Sequence, residues 1–119
     1  MAFTTAGKNF AMRSYNDNTT YIALAVDGTE LVGHGYRRAP WSSGQKTLDE
    51  TNSTLTNSAD ITAYTASDDT AQDANQGAHF DELTGGNQLT DWTTFTTDID
   101  APANGQSVVF RTGSISIDI

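Results

Sequence analysis

The sequence predicts an all-β chain: one antiparallel β-sandwich domain, jelly-roll-like, spanning residues 1–119 and opened by a short helix. Three observations carry that reading. Short runs of alternating apolar residues recur, each bounded by Gly, Asn, Asp or Pro. The apolar fraction is only 36%, with Thr, Ser, Asn and Asp filling the gap, which suits a thin sandwich with long polar turns. The stretch 84–119 reads as a Gly-Gly turn, an aromatic strand, a Pro/Asn/Gly turn and two alternating strands that run through Ser114-Ile115-Ser116-Ile117-Asp118-Ile119. A chain of this length buries about 65% of its unfolded surface, enough for one modest core.

Taken in order, residues 3–15 form the predicted helix, with Thr4 or Thr5 as N-cap and Phe3, Phe10 and Tyr15 as a partly apolar side. Asn16-Asp17-Asn18 ends it. Residues 21–26 alternate Ile22, Leu24 and Val26 with Tyr21, Ala23 and Ala25 and form the clearest strand. Asp27-Gly28 is a tight-turn pair, and residues 30–32 return as a short strand. Gly33-His34-Gly35 predicts a bend where backbone passes close to a neighbour. Residues 42–52 are polar and turn-like, 54–61 alternate around Leu55 and Ile61, and 66–77 form an exposed acidic loop. Residues 79–83 lead into the turn at Thr84-Gly85-Gly86-Asn87. A strand follows over 89–97 with Trp92 and Phe95, then a turn over 101–106, then strands over 108–111 and 114–119.

Acids outnumber bases 15 to 6, a formal charge of -9. Nucleic-acid binding is disfavoured, because phosphate affinity comes from Lys and Arg. Abundant Asp and Thr with scarce Lys resembles proteins of extreme halophiles, whose acidic surface stays hydrated in molar salt. There, a Debye length of about 3 Å screens self-repulsion. An ordinary acidic mesophilic surface is the alternative. Without cysteine there is no disulfide framework, thiolate zinc site or thiol nucleophile. No membrane insertion is expected, since the longest apolar run is only residues 22–26. No secretory leader is expected either, because residues 1–15 lack a basic start followed by an apolar run.

Thr5-Ala6-Gly7-Lys8-Asn9, Tyr21-Ile22-Ala23-Leu24-Ala25, Gly35-Tyr36-Arg37-Arg38-Ala39-Pro40-Trp41, Thr84-Gly85-Gly86-Asn87-Gln88-Leu89 and Ala103-Asn104-Gly105 through Gly113-Ser114-Ile115 follow one another along the chain. In that order they resemble a family of small β-rich structural proteins in the virions of tailed viruses, bacterial and haloarchaeal. The resemblance spans nearly the whole length, and the collinear order carries it. It implies a β-rich building block of the particle, in the capsid-surface or tail and baseplate class. One segment departs from the family's apolar strand before the Gly-Gly turn: Asn75-Gln76-Gly77-Ala78-His79-Phe80-Asp81 is more polar.

No catalytic residue is expected. His34 and His79 lack a nucleophile partner or a convergent second ligand in the sequence. Asp68, Asp69 and Asp73 place oxygen ligands at short spacing and are candidates for a structural cation, but the calcium-loop pattern is incomplete, and a solvated loop is the alternative. No other cofactor or metal is expected. Asp98 and Asp100 share one face of a strand. Arg37 and Arg38 beside Trp41 form the one basic cluster, able to dock on an acidic neighbour or to pair within their own sheet. With Lys8 they are the candidate interface residues. Trp41, Trp92, Tyr36 and Phe95 suit either an interface or the core. Asn18 and Asn52 begin glycosylation-type triplets that chance explains in a chain so rich in Asn and Thr.

The expected function is a virion structural protein, located in the virion. The first reading is a capsid-surface decoration or turret subunit that works by symmetric homo-oligomeric assembly with the major capsid protein or tail proteins. In it the Arg37/Arg38/Trp41 region or the N-terminal helix faces the shell. The second is a tail-tip, baseplate or fibre-base subunit that helps attach to the host cell surface. The third, of a different class, is a carbohydrate-binding module in which Tyr36, Trp41 and Trp92 stack on sugars.

Overall fold

A computed structural model describes residues 1–118; Ile119, the last residue of the expected final strand, lies outside the described residues. Helix α1 (Thr5–Asp17) is followed by β1 (Thr20–Val26), β2 (Thr29–Glu30), β3 (Ala39–Trp41), a 3₁₀ turn (Ser43–Gln45), β4 (Lys46–Asp49), β5 (Thr54–Asn57), β6 (Ile61–Thr65), β7 (Ala74–Phe80), β8 (Thr93–Ile99), β9 (Ser107–Phe110) and β10 (Ser116–Asp118). The chain is built mostly of strands in antiparallel sheets with one short N-terminal helix. Its internal contacts divide it into two units. Unit 1 takes residues 1–19, 41–61 and 110–119; unit 2 takes 20–40 and 62–109.

In unit 1, α1 starts at Thr5 because Thr4 is extended (φ -73°, ψ 168°) and its hydroxyl accepts from Gly7 N at 3.1 Å. Asn18 closes the other end by donating from Nδ2 to the Ser14 carbonyl at 2.8 Å. The helix therefore runs two residues later at each end than 3–15. Its inward side is Asn9 and Met12, and Phe3 and Phe10 are 63% and 78% exposed. The expected apolar side thus faces outward, because Asn9, a polar residue, is the one that reaches inward. It donates from Nδ2 to the Glu50 carbonyl at 2.8 Å and accepts from the buried Ser53 hydroxyl at 2.9 Å.

The expected turn-like stretch 42–52 instead contains β4, the edge of the three-stranded sheet β10-β5-β4. Leu48 lies opposite Leu55, and Lys46 opposite Asn57. Lys46 hides the alternation: it reads as polar, yet only 8% of it is exposed. Its stem packs inward while its ammonium finds acceptors. Residues 54–61 divide into β5 and β6 rather than one run. Between them Asp60 accepts from Thr112 N at 2.7 Å. Asn57, 1% exposed, ties the unit together. Its Nδ2 donates to the Ala59 and Arg111 carbonyls at 3.0 and 2.8 Å, and its Oδ1 accepts from Ile115 N at 2.9 Å.

In unit 2, β1 lies inside a sheet ordered β2-β1-β7-β8, with β3 also paired to β1. Both faces of β1 are covered, since Ile22, Ala23, Leu24 and Ala25 are all buried. Asp27 (φ 48°) and Gly28 (φ 83°) make the two-residue hairpin turn into β2. The polar start of β7 has a purpose there. Asn75 Oδ1 accepts from Asp27 N at 3.0 Å and Gln76 Oε1 from Gly28 N at 2.6 Å, so both side chains hold that turn. The predicted loop 66–77 accordingly ends at Asp73; Ala74 onward is strand, and Ala66 and Ala74 are buried.

Phe80 anchors this unit with Ala23 and Ala78, and Tyr21 and Trp92 pack against them. Trp92 precedes β8, which begins at Thr93 rather than at 89. On β8, Phe95 lies over Gly77, where a Cβ would come within 2.9 Å of the ring. Gly33, His34 and Gly35 all have positive φ, and a Cβ on Gly35 would stand 2.2 Å from the Thr65 carbonyl oxygen. The bend passes a neighbouring backbone, as its two glycines predict.

Candidate functional site

The most developed polar site of unit 2 is built on Arg38. Its Nε and Nη2 donate to the two oxygens of Glu30, each at 2.9 Å, a bidentate pair. Nη1 donates to the Glu82 and Gly85 carbonyls at 2.9 and 2.8 Å. The guanidinium lies over the Phe80 ring, 3.7 Å from its centroid. Tyr36 donates its hydroxyl to Glu30 at 2.6 Å and accepts from Leu24 N at 3.1 Å. Its ring meets Tyr64 edge-on at 5.4 Å.

Electrostatics follow from that geometry. Burial acts to raise the Glu30 pKa, but the hydrogen bonds from Arg38 and Tyr36 and the Arg38 charge hold it below the usual carboxylate range. Burial and the Glu30 carboxylate push the Tyr36 hydroxyl well above its ordinary value. Arg38 is raised, chiefly by its bonds to Glu30. All three groups keep their charge state across the neutral range. The cluster joins β2, the segment before β3 and the Gly85-Gly86 turn.

A second cluster lies at the bend. His34 Nδ1 is 3.0 Å from both oxygens of Asp68 and 3.1 Å from the Thr70 hydroxyl. The His34 contact, with the Thr70 amide and hydroxyl, lowers the Asp68 pKa to about 2. Thr70 approaches the ring nitrogen that already faces the acid, so the three do not align as nucleophile, base and orienting acid.

In unit 1, Lys46 Nζ donates to the carbonyls of Tyr15 and Asn18 at the end of α1, and lies 4.9 Å from the Trp41 ring centroid. Trp41 Nε1 donates to the Gln45 carbonyl at 2.9 Å. Burial lowers the Lys46 pKa to about 8.

The sequence-predicted residues fall in different places. Arg38 is 7% exposed and Trp41 fully buried, so neither presents the docking surface expected of the Arg37/Arg38/Trp41 cluster. The reason is the nearby carboxylate of Glu30 in one case and the need to bury a large ring in the other. Arg37 is exposed and Lys8 half-buried on α1. Asp68, Asp69 and Asp73 do not converge. Asp68 serves His34, Asp69 accepts from Asn104 N at 2.9 Å, and Asp73 accepts from Ala101 N at 2.7 Å. Among the described residues no three His, Cys, Asp or Glu side chains are grouped to hold a metal ion. The stacking platform of Tyr36, Trp41 and Trp92 is likewise dispersed: Trp41 is buried, Tyr36 is tied to Glu30, and Trp92 leans on Phe80 at 5.9 Å. Sequence reading passed over Asn57, Lys46 and Glu30 as functional joints. Only Glu30, eight residues before Arg38 across the Gly33-His34-Gly35 bend, carried a signal of opposite charge.

No protein-family model matches this chain, and no curated protein matches it by sequence. No helix among the described residues is long and apolar enough to cross a membrane.

Proposed function

We propose that the protein is a structural component of a tailed-virus particle, a capsid-surface decoration or turret subunit of β-sandwich, jelly-roll-like build that works by assembly rather than by turnover. One observation carries the reading most directly. Two motifs of the family resemblance, Gly35 to Trp41 and Thr84 to Leu89, meet at Arg38, which donates to the Gly85 carbonyl. A third, Thr5 to Asn9, forms the capped start of α1 and supplies the buried Asn9 joint. The residues that carry the resemblance are therefore those that hold this fold together, which is what a shared building block requires. The acidic surface, net -9, supports a particle facing concentrated salt.

Antibody labelling of intact purified particles, viewed by electron microscopy, tests the proposal. Labels spread over the head support decoration. Labels confined to the tail end would favour the attachment reading, and unlabelled particles would overturn both.

A further inference from the structure

The sequence holds one Asn-Gly pair, Asn104-Gly105, and one Asp-Gly pair, Asp27-Gly28. Both suit the same spontaneous chemistry. A glycine after Asn or Asp has no Cβ to shield its amide, so that nitrogen can reach the preceding side-chain carbonyl carbon. Both pairs sit in exposed turns of unit 2, yet they are tied differently. At Asp27 the side chains of β7 close the turn. Gly28 N donates to Gln76 Oε1 at 2.6 Å, Asp27 N donates to Asn75 Oδ1 at 3.0 Å, and Asn75 Nδ2 donates to Asp27 Oδ1 at 2.8 Å. The attacking amide and the carboxylate it would reach are both occupied. At Asn104 the bonds hold the main chain. Gly105 N donates to the Ala66 carbonyl, Gln106 N to the Ala103 carbonyl and Asn104 N to Asp69 Oδ1, each at 2.9 Å. None of these three bonds engages the exposed Asn104 carboxamide.

We propose that Asn104 is a site of self-modification, converted to aspartate and isoaspartate through a succinimide. The Gly105 nitrogen attacks Asn104 Cγ and forms the ring C–N bond. The side-chain nitrogen leaves as ammonia, taking the proton that the Gly105 amide gives up. Water then opens the ring at either carbonyl. The turn gates the step. Gly105 N cannot attack while it donates to Ala66, so conversion proceeds from the fraction of molecules in which that bond is open. Asp69 keeps the fraction small, because its carboxylate holds the adjacent amide and its charge opposes ionisation of the Gly105 N–H. Conversion alters unit 2 in two ways. Isoaspartate lengthens the main chain by one atom between the Asp69 bond and the Ala66 bond, so both cannot keep their register. Ala66, 3% exposed, also donates its own N to the Gln106 carbonyl at 2.9 Å, so the disturbance falls on the entry to β9. Either product adds a carboxylate beside Asp69, in a unit whose ten Asp and Glu are offset only by Arg37 and Arg38, a net -8.

The test is to age the purified chain at mildly alkaline pH. Peptide mapping by mass spectrometry follows residue 104, and isoaspartyl methyltransferase labelling identifies the isomer. A synthetic peptide of residues 101–108 supplies the unrestrained rate. The folded chain is expected to form isoaspartate at position 104, at least about tenfold more slowly than the peptide. Asp69→Ala, checked for its fold by circular dichroism, should convert at least about threefold faster than wild type. Urea below the unfolding midpoint should likewise raise the wild-type rate toward that of the peptide, a readout that needs no variant. Hydrogen-exchange protection around Ala66 should fall in the converted protein. No isoaspartate at position 104 once the peptide is fully converted would overturn the site. A folded chain that reacts as fast as the peptide, or a rate that neither Asp69→Ala nor urea changes, would overturn the gating.

Discussion

Arg38 reads in the sequence as either a docking residue or an intrasheet pair, and the structure makes it the second. Its partner was legible in principle, because the Gly33-His34-Gly35 bend turns the chain between Glu30 and Arg38, only eight residues apart. Its two carbonyl acceptors were not, since Glu82 and Gly85 lie more than forty residues away. Removing one partner of such a pair strands a mostly buried charge. Arg38→Ala is expected to cost about 3–5 kcal/mol in urea unfolding, and Glu30→Gln less, because the amide still accepts. Asn57 gave no sequence signal at all: one Asn among many polar residues, it is nonetheless buried and fully bonded. Lys46 sets the alkaline behaviour. With its folded pKa near 8 against an ordinary 10.5, the unfolded chain binds more protons between those values, so stability rises with pH across that window. Tyr36 works the other way. Its raised pKa holds a proton in the folded state, so its contribution is lost as pH climbs past its ordinary 10. On the acid side Asp68 stabilises above pH 3.8 and loses its contribution as pH falls toward about 2. Melting temperature against pH for wild type and Lys46→Met checks this: the rise above pH 8 should vanish in the variant.

Elements were legible where one face alternates or a turn pair is strong. The strand around Ile22 and Leu24, the Asp27-Gly28 hairpin, the Gly85-Gly86 turn and the capped helix all follow from such local signals. Three failures share a cause: a polar side chain that bonds within the fold. Lys46 masked β4, Asn75 and Gln76 masked the start of β7, and Asn9 inverted the expected face of α1. In each, the side chain bonds backbone distant in sequence, which no local pattern encodes. The Gly33-His34-Gly35 bend tests the reading of close approach. Gly33→Ala meets open space and only the strain of φ 69°, expected to cost about 1 kcal/mol. Gly35→Ala places a Cβ 2.2 Å from the Thr65 oxygen at φ 87°, and should cost several times more, at least about 3 kcal/mol. Equal losses in thermal unfolding would contradict the close passage.

Over the whole molecule the dominant quantity is charge. Most of it resides in unit 2, where loop carboxylates such as Asp69 and Asp73 accept from backbone and Asp98 and Asp100 lie exposed. The composition was plain in the sequence, but its partition was not, because each unit is assembled from separated segments. Lowering salt from molar to about 0.1 M is expected to loosen unit 2 before unit 1, as unscreened carboxylates repel. Hydrogen exchange should show early loss of protection in β7 and β8 and later loss in β5; uniform protection across that range would contradict it. Whether this chain takes its place in a particle, as proposed, is decided by its copy number. Quantitative mass spectrometry of purified particles, heads and tails separated, should find tens to hundreds of copies in the head fraction. Absence from both fractions would rule out a virion role.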